Sequence, residues 1–381
     1  MQHVYVGSYS NFIFHLSRDT ATDTLELVEA VPSHGLQPSF LTLSTDGKYL
    51  YAALEHGSSE LTPAVEKSVS GAVAAFAVDV ATGKLSFLNV VKSEGPWPCH
   101  VSFSSGFVVV ANYGGGVALL GTDGATGALV PATAGGVSNN TRPDRAADWE
   151  CVLPGQGNRQ DASHSHSANF VAGGSIVLVP DLGLDMVWAY RVEAATSSLV
   201  RCSPSFGFAT ADREGPRHLC EVGSHIFVCC ELSNKVYKLA LDGATGHMTQ
   251  TAVSAPTVPV LGEYAAVAPP CEAGAFNGEV SCCADIHPTA DREFVAVSNR
   301  GADTITLVPV DFSGDASSWP SIASGGKTPR NFVVERSGKM FVCNQNESSI
   351  RVFQPDGASA DFGADFGPEW KWPCCIVLGS C

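Results

Sequence analysis

The sequence predicts an all-β chain folded as one seven-bladed β-propeller, with four-stranded antiparallel blades and a ring closed by strands from the two chain ends. Three observations predict it. One strand motif recurs along the chain, its spacing is that of a four-stranded unit, and each chain end supplies only part of a unit. Each recurrence is a Gly- or Asp-bearing turn followed by β-branched and aromatic residues, the composition of a strand bounded by turn signals. No amphipathic stretch of helical period interrupts the series, which counts against an α/β fold.

The first unit enters at Pro38-Ser39-Phe40-Leu41 and continues through Asp46–Ala52, Val73–Phe76 and the weaker Lys84–Phe87. The second uses Pro98–Val101, Gly106–Asn112 and Val117–Leu120. The third uses Ser175–Asp181 and Val187–Tyr190, and the fourth Pro216–Leu219, Ser224–Cys229 and Val236–Leu239. The fifth has Arg292–Asn299 and Ile305–Val308, and the sixth Pro329–Phe332, Gly338–Asn344 and Ile350–Phe353. For the seventh, Trp372–Leu378 reads as an inner strand, and Val4–Tyr9 and Ile13–Leu16 as its next two. Units of about 40–50 residues are the propeller period. Joining the chain ends in one blade removes a dangling sheet edge.

Residues 1–381 are therefore expected to form one domain with two long loop insertions, 132–163 and 252–279. Loops longer than about 12–15 residues are usually functional or disordered. The first ends at Ser163-His164-Ser165-His166, which predicts a flap over a channel mouth, with a disordered surface insertion as the alternative.

Composition narrows the function. Hydrophobic residues make up 45% and charged residues 16%, enough apolar material for a large core. The net charge of −16 argues against nucleic acid and anionic membrane surfaces as partners. No apolar run reaches the ~20 residues of a membrane span, and no basic–apolar leader follows Met1. The 13 cysteines are odd in number, lack a CxxC pair and sit largely in apolar strands. They read as reduced core residues of a cytoplasmic protein. Ring closure within one chain suits a monomer.

In a propeller the innermost strands line the channel, and their starts lie near one mouth. Polar residues occupy those starts and the ends of the second strands. They are His164 and His166 in the third unit, Arg217, His218 and Glu231 in the fourth, and Asp285, His287, Asn299 and Arg300 in the fifth. Arg330 holds the same place in the sixth, Asn112-Tyr113 in the second and Asp181 in the third. Arg217, Arg300 and Arg330 could simply pair with Asp285, Glu231 and Asp181, since charges in a channel must be paired whatever they do. His164 and His166 share a strand face, as a metal pair would, but no third ligand is evident. Three arginines, several histidines and a carboxylate at one mouth of a charge-poor chain point to anion binding with acid–base chemistry beside it.

These residues carry a resemblance to the seven-bladed lactonase family, the propeller-type 6-phosphogluconolactonases, which also includes fungal carboxy-cis,cis-muconate cyclases. The matching pieces are Ala111–Gly116, His164–Ser167, Val179–Gly183, Gly215–His218, Glu231 with Asn234, Ala284–His287, Ser298–Gly301 and Gly325–Arg330. The turn Ala172–Ser175 and the Cys229-Cys230 pair before Glu231 depart from the family pattern. The resemblance implies a catalytic set of His166, Arg217, Glu231 and Arg300, with neither metal nor organic cofactor. Substrate contacts are expected from His164, His218, Asp285, His287, Arg330 and Asn112. It implies hydrolysis of 6-phospho-D-glucono-1,5-lactone, a pentose phosphate pathway step, with His166 as general base and the arginines on phosphate or oxyanion. Two alternatives stay open: a lactone-forming cycloisomerase of the muconate type, and a non-catalytic propeller that docks other proteins.

Overall fold

A computed structural model describes residues 1–56, 71–141, 159–203, 205–258, 281–354, 359–362, 366–367 and 369–379. Seven antiparallel sheets make up the fold. Blade 1 is β4 (Leu36–Leu43), β5 (Tyr49–His56), β6 (Ala72–Val78) and β7 (Leu85–Lys92), in that order from the channel outward. Blade 2 is β8 (Pro98–Ser104), β9 (Phe107–Asn112), β10 (Val117–Thr122) and β11 (Leu129–Val130), with β12 (Val137–Ser138) also on β10. Blade 3 has the short inner β13 (Asn169–Val171), then β14 (Ile176–Asp181), β15 (Met186–Glu193) and β16 (Ser198–Arg201), with β17 (Gly207–Ala209) also on β15.

Blades 4, 5 and 6 begin at inner strands β18 (Pro216–Val222), β22 (Cys282–Pro288) and β26 (Pro329–Val334). Their second strands are β19 (His225–Cys230), β23 (Phe294–Arg300) and β27 (Met340–Asn344), followed outward by β20 (Val236–Leu241) and β21 (Met248–Val253), β24 (Thr304–Pro309) and β25 (Ser321–Ala323), and β28 (Ser349–Phe353) and β29 (Ser359–Phe362). In blade 7 the C-terminal β30 (Pro373–Leu378) is innermost, followed by β1 (Gln2–Ser8), β2 (Phe12–Arg18) and β3 (Leu25–Pro32). The closure expected from the sequence is thus the observed one: Val6 lies opposite Ile376 across the β1–β30 ladder.

The apolar core sits between blades. Each apolar cluster draws from two neighbouring sheets, so that side chains of one blade pack on the next. Leu178 and Val187 of blade 3 pack on Ile226 and Val228 of blade 4. Val110 of blade 2 meets Tyr51 of blade 1, and Phe14 of blade 7 meets Phe341 of blade 6. Strands apolar on both faces follow directly, because each sheet is covered on both sides. The ten described cysteines are all buried, with no disulfide among them.

The two expected insertions are described in part. Residues 142–158 of the first insertion and 259–280 of the second lie outside the described residues, and the expected flap falls mostly on the first of these. Residues 132–141 are not a free loop: Ala134–Gly136 forms a 3₁₀ turn, and Val137–Ser138 adds a strand to blade 2. Among the described residues no helix is long and apolar enough to cross a membrane.

Candidate active site

One backbone irregularity, repeated from blade to blade, builds the site. The inner strand carries one extra residue near its start. Register shifts fall between Pro38 and Phe40, Pro98 and His100, Pro216 and His218, and Pro329 and Asn331. A bulge leaves the extra residue out of the ladder and re-aims its side chain. Proline suits the strand start because it has no N–H to donate there. The residues turned out are Ser39, Cys99, Arg217 and Arg330. Cys374 holds the same place in blade 7, since Pro373 pairs with Ser8 and Cys375 with Gly7. In blade 5 the shift falls between Cys283 and Ile286. In blade 3 an isolated Ser165–Asp181 bridge, with the His166 N–H on the Pro180 carbonyl at 2.9 Å, puts His166 at this level. His166, Arg217 and Arg330 are therefore the same position of three different blades.

A second level lies above it. The residue paired with the inner-strand proline is followed by one that faces the mouth: Tyr9 after Ser8, Glu55 after Leu54, Tyr113 after Asn112, Glu231 after Cys230 and Gln345 after Asn344. Arg300 after Asn299 is the blade 5 member. A third level is the residue just before the proline, with left-handed φ at Gln37 (58°), Trp97 (52°), Gly215 (63°), Thr328 (63°) and Trp372 (51°). A lead-in Ser-x-Gly-x-x-Pro sets this turn in three blades. The hydroxyls of Ser33, Ser93 and Ser324 donate to the carbonyls of Gly35, Gly95 and Gly326 at 2.8, 2.8 and 2.9 Å. Glycine is required at 95 because a Cβ would lie 2.7 Å from the Asn112 side chain.

These levels enclose a pocket of about 560 Å³, within the ordinary size of a small-molecule site. Tyr9, Glu55, Tyr113, Glu231, Arg300 and Gln345 line it from the second level, His166, Cys99 and Arg330 from the floor, and Gln37, Trp97 and Trp372 from the rim. His56 and Arg159 complete it.

Glu231 is the electrostatic centre. Its carboxylate is fully buried and accepts from Arg217 Nε at 2.8 Å, Arg300 at 2.8 Å and Arg159 at 2.5 Å. Burial alone would push its carboxyl up, but the guanidiniums of Arg159, Arg300 and Arg217 outweigh it and hold it well below the usual carboxylate range. Arg217 also donates to the Ala284 carbonyl, Arg300 to the Cys283 carbonyl at 3.2 Å, and Arg159 Nε to Tyr113 Oη at 3.0 Å. Arg330 lies over the Tyr9 ring, 5.3 Å from its centroid. With Arg217 beneath the floor, four guanidiniums face two carboxylates, Glu55 and Glu231, so the pocket is cationic inside an acidic protein. His166 is buried, and burial, with Arg217 and His218 nearby, holds its imidazole well below 6.5. It is neutral at neutral pH and keeps a nitrogen lone pair.

The ten residues singled out from sequence divide on this geometry. His166, Glu231, Arg300 and Arg330 line the pocket. Arg217 stands just below, in a hole of about 10 Å³ shared with Ser39, His218 and Asn331. His218 and Asp285 lie a level deeper and do not line the pocket: His218 Nδ1 meets Asp285 at 2.8 Å, and the same carboxylate accepts from Asn331 Nδ2 at 2.6 Å and pairs with His287 Nε2 at 3.0 Å. Burial and then Arg217 push the His218 imidazole down to about 4. For His287 burial is outweighed by Asp285, and its imidazole is raised. His164 is engaged on both nitrogens, with the Tyr113 carbonyl at 2.7 Å and Asp161 at 2.9 Å. Asn112 donates to the Ser93 carbonyl at 2.9 Å and braces the lead-in turn. Of the possible structural pairs, Arg300–Glu231 is present, but Arg217 shares that carboxylate, while Asp285 serves histidines and Asp181 serves Ser163 and Trp188.

Reasoning from sequence missed Tyr9, Glu55, Gln37, His56, Trp97, Arg159, Gln345 and Trp372. All but Arg159 and His56 occupy the repeat positions defined above, so extending the repeat one residue past each second strand, and one before each proline, would have found them.

Comparison with known proteins follows the same lines. Residues 3–376 match the family described as "Lactonase, 7-bladed beta-propeller". The 6-phosphogluconolactonase of Bacillus subtilis is 27% identical over 92% of this chain and 90% of its own length. The 6-phosphogluconolactonase of Formosa agariphila is 27% identical over 93% and 92%. A periplasmic gluconolactonase of Pseudomonas aeruginosa, 24% identical, has the same fold with a TM-score of 0.78 over 100% of this chain and 99% of its own.

Proposed function

The chain belongs to the seven-bladed β-propeller lactonase family, and from that premise we propose that it hydrolyses a sugar δ-lactone, foremost 6-phospho-D-glucono-1,5-lactone. The observation that carries the reading is the Glu231 cluster: guanidiniums of Arg159, Arg217 and Arg300 gathered on one carboxylate beside a neutral histidine, in the wall of an open pocket and just beneath it.

Ester hydrolysis needs an activated water and donors for the carbonyl oxygen. His166 is the proposed general base; its lone pair accepts the water proton as the oxygen attacks the carbonyl carbon. The carbonyl oxygen gains negative charge, and Arg300 with Arg217 stabilises it, already held in place by Glu231 so that little reorganisation is needed. The ring C–O bond then breaks, and the ring oxygen takes the proton back from His166. Glu231 is too acidic to donate that proton and serves to orient the guanidiniums. Arg330 and Arg159 are the contacts proposed for the phosphate, since a guanidinium matches phosphate oxygens in pairs.

The test is acid release from 6-phosphogluconolactone and from unphosphorylated gluconolactone, measured above the spontaneous rate. Acceleration of neither refutes the reading. The cationic pocket also fits a muconate-type dicarboxylate, so lactone formation from such an acid is assayed beside it. The ten described cysteines are buried with no disulfide among them, which supports the cytoplasm as the compartment. Cell fractionation decides that, given that one relative is called periplasmic.

A further inference from the structure

The pocket is chemically two-sided. Blades 3 to 6, with the segment leading into blade 3, contribute Arg159, His166, Glu231, Arg300, Arg330 and Gln345. Blades 7, 1 and 2 contribute Trp372, Tyr9, Gln37, Glu55, Trp97 and Tyr113. Among the described residues that line it, the second half brings no arginine or lysine, and it carries two of the exposed large apolar side chains of the protein. Trp97 is 45% exposed and Trp372 36%.

Their placement is costly twice over. A non-glycine residue with left-handed φ costs on the order of 1–3 kcal/mol, and the rings give up the burial that an indole normally gains. At the equivalent position blade 4 has glycine, which bears no such strain, and blade 6 has the small Thr328. The backbone fixes both tryptophans firmly. The Trp97 carbonyl accepts from the Tyr113 N–H at 2.8 Å, and the Trp372 carbonyl from the Tyr9 N–H at 3.2 Å. They are thus backbone-anchored indoles at the rim of one pocket, flanking blade 1, where Gln37, Glu55 and His56 offer hydrogen-bond partners between them.

A pyranose ring has the matching surface: apolar C–H groups on its faces and hydroxyls around its edge. Indoles accept the faces, while Glu55 and Gln37 accept from and Gln37 donates to the hydroxyls. We infer that Trp97 and Trp372 form a sugar-ring cradle, which holds the polyhydroxylated part of the substrate in the blade 7–1–2 half and directs its carbonyl toward His166 and the arginines. The two tryptophans are specificity-determining residues, selecting sugar lactones over lactones without hydroxyls. This rests on the lactonase reading for its kinetics, though not for its binding test.

Two measurements test it. In the first, Trp97→Ala and Trp372→Ala are assayed on glucono-1,5-lactone and on δ-valerolactone, which lacks hydroxyls. The expected result is a KM for the sugar lactone raised roughly 5–30-fold, with kcat within about twofold and little change for δ-valerolactone. Trp97→Phe and Trp372→Phe should recover most of the loss. An unchanged KM, or an equal rise for both lactones, overturns the cradle. In the second, 1,5-anhydroglucitol, a pyranose with no carbonyl to attack, is titrated by calorimetry into the wild type and the Trp97→Ala/Trp372→Ala double variant. Saturable binding lost in the variant supports the cradle even if no lactone is hydrolysed. No binding to the wild type, or equal binding to both, overturns it. Catalysis without the sugar preference would leave the lactonase reading standing and remove this one.

Discussion

Replacing Glu231 by glutamine tests the centre of the site, because shape is kept and only the charge is lost. In the native protein one carboxylate, fully buried, offsets three guanidiniums at 2.5–2.8 Å. Glutamine leaves those three cations without their shared counter-charge and offers one carbonyl oxygen where two anionic oxygens accepted. Breaking a buried ion pair by removing one partner costs about 3–5 kcal/mol. The unfolding entropy is about 2.1 cal/mol/K per residue, so for this chain that loss corresponds to a Tm lower by roughly 4–6 °C. The sign with pH is fixed by the depressed carboxyl. Its stabilisation is fully present above the ordinary carboxylate pKa and is lost as pH falls through the lower folded value. The Tm gap between wild type and Glu231→Gln should therefore be widest at pH 7 and close in acid. Lactone hydrolysis should fall roughly 10²–10³-fold as the oxyanion donors lose their fixed positions. Calorimetric melting at several pH values and a pH-stat assay read both. A variant that melts with the wild type at pH 7 and turns over normally would refute the claim that Glu231 organises the arginines.

His166→Ala should lower turnover by roughly 10²–10⁴-fold with the fold intact by circular dichroism. Because the His166 imidazole lies well below 6.5, the wild-type rate should stay level from pH 7 through pH 6 and fall only in stronger acid; a limb centred at 6.5 would argue against this base. Arg159→Ala removes one of three guanidiniums from Glu231 and leaves Arg217 and Arg300 in place. Its Tm should barely move, while kcat/KM for the phosphorylated lactone drops about tenfold, against a smaller change for the unphosphorylated one. Deleting Cys374–Leu378 takes out most of β30, the inner strand that pairs with β1 and packs beside β4 and β26. The ring should lose its cooperative thermal transition; a truncated protein that still melts sharply would show that closure is dispensable.

Much of the architecture could be read from the chain because each blade repeats the same local code. Asp46-Gly47 before Tyr49–Ala52 and Gly106 before Phe107–Asn112 are turn-plus-strand signals that need no tertiary context. The blade 7 assignment came from arithmetic: neither Val4–Tyr9 nor Trp372–Leu378 makes a blade alone, and the β1–β30 ladder joins them. The short outer strands resisted reading. β16 and β17 share one edge of β15, and β12 sits beside β11 on β10, where little apolar surface is buried and side-chain pattern carries no register.

The site was readable only where a charged side chain broke an apolar strand. Arg217, Arg300 and Arg330 stood out for that reason, and so did Asp285, yet Asp285 is spent on His218, His287 and Asn331 below the floor. Residue type alone could not separate the two fates, because both satisfy the rule that a buried charge is paired. The bulge separates them. Arg217 and Arg330 are the extra residues of their strands, Arg330 in the pocket and Arg217 just below it, whereas Asp285, within the register shift of blade 5, meets His218 and Asn331 of the neighbouring blades. The same register brings Tyr9, Glu55 and Gln345, unremarkable in sequence, to the level of Glu231. Arg159 obeys no repeat; it arrives from the insertion between blades 2 and 3, and its contacts with Glu231 and Tyr113 reveal it. The propeller thus fixes where a side chain can act by position within the blade, and the chemistry follows from which blades place a charge there.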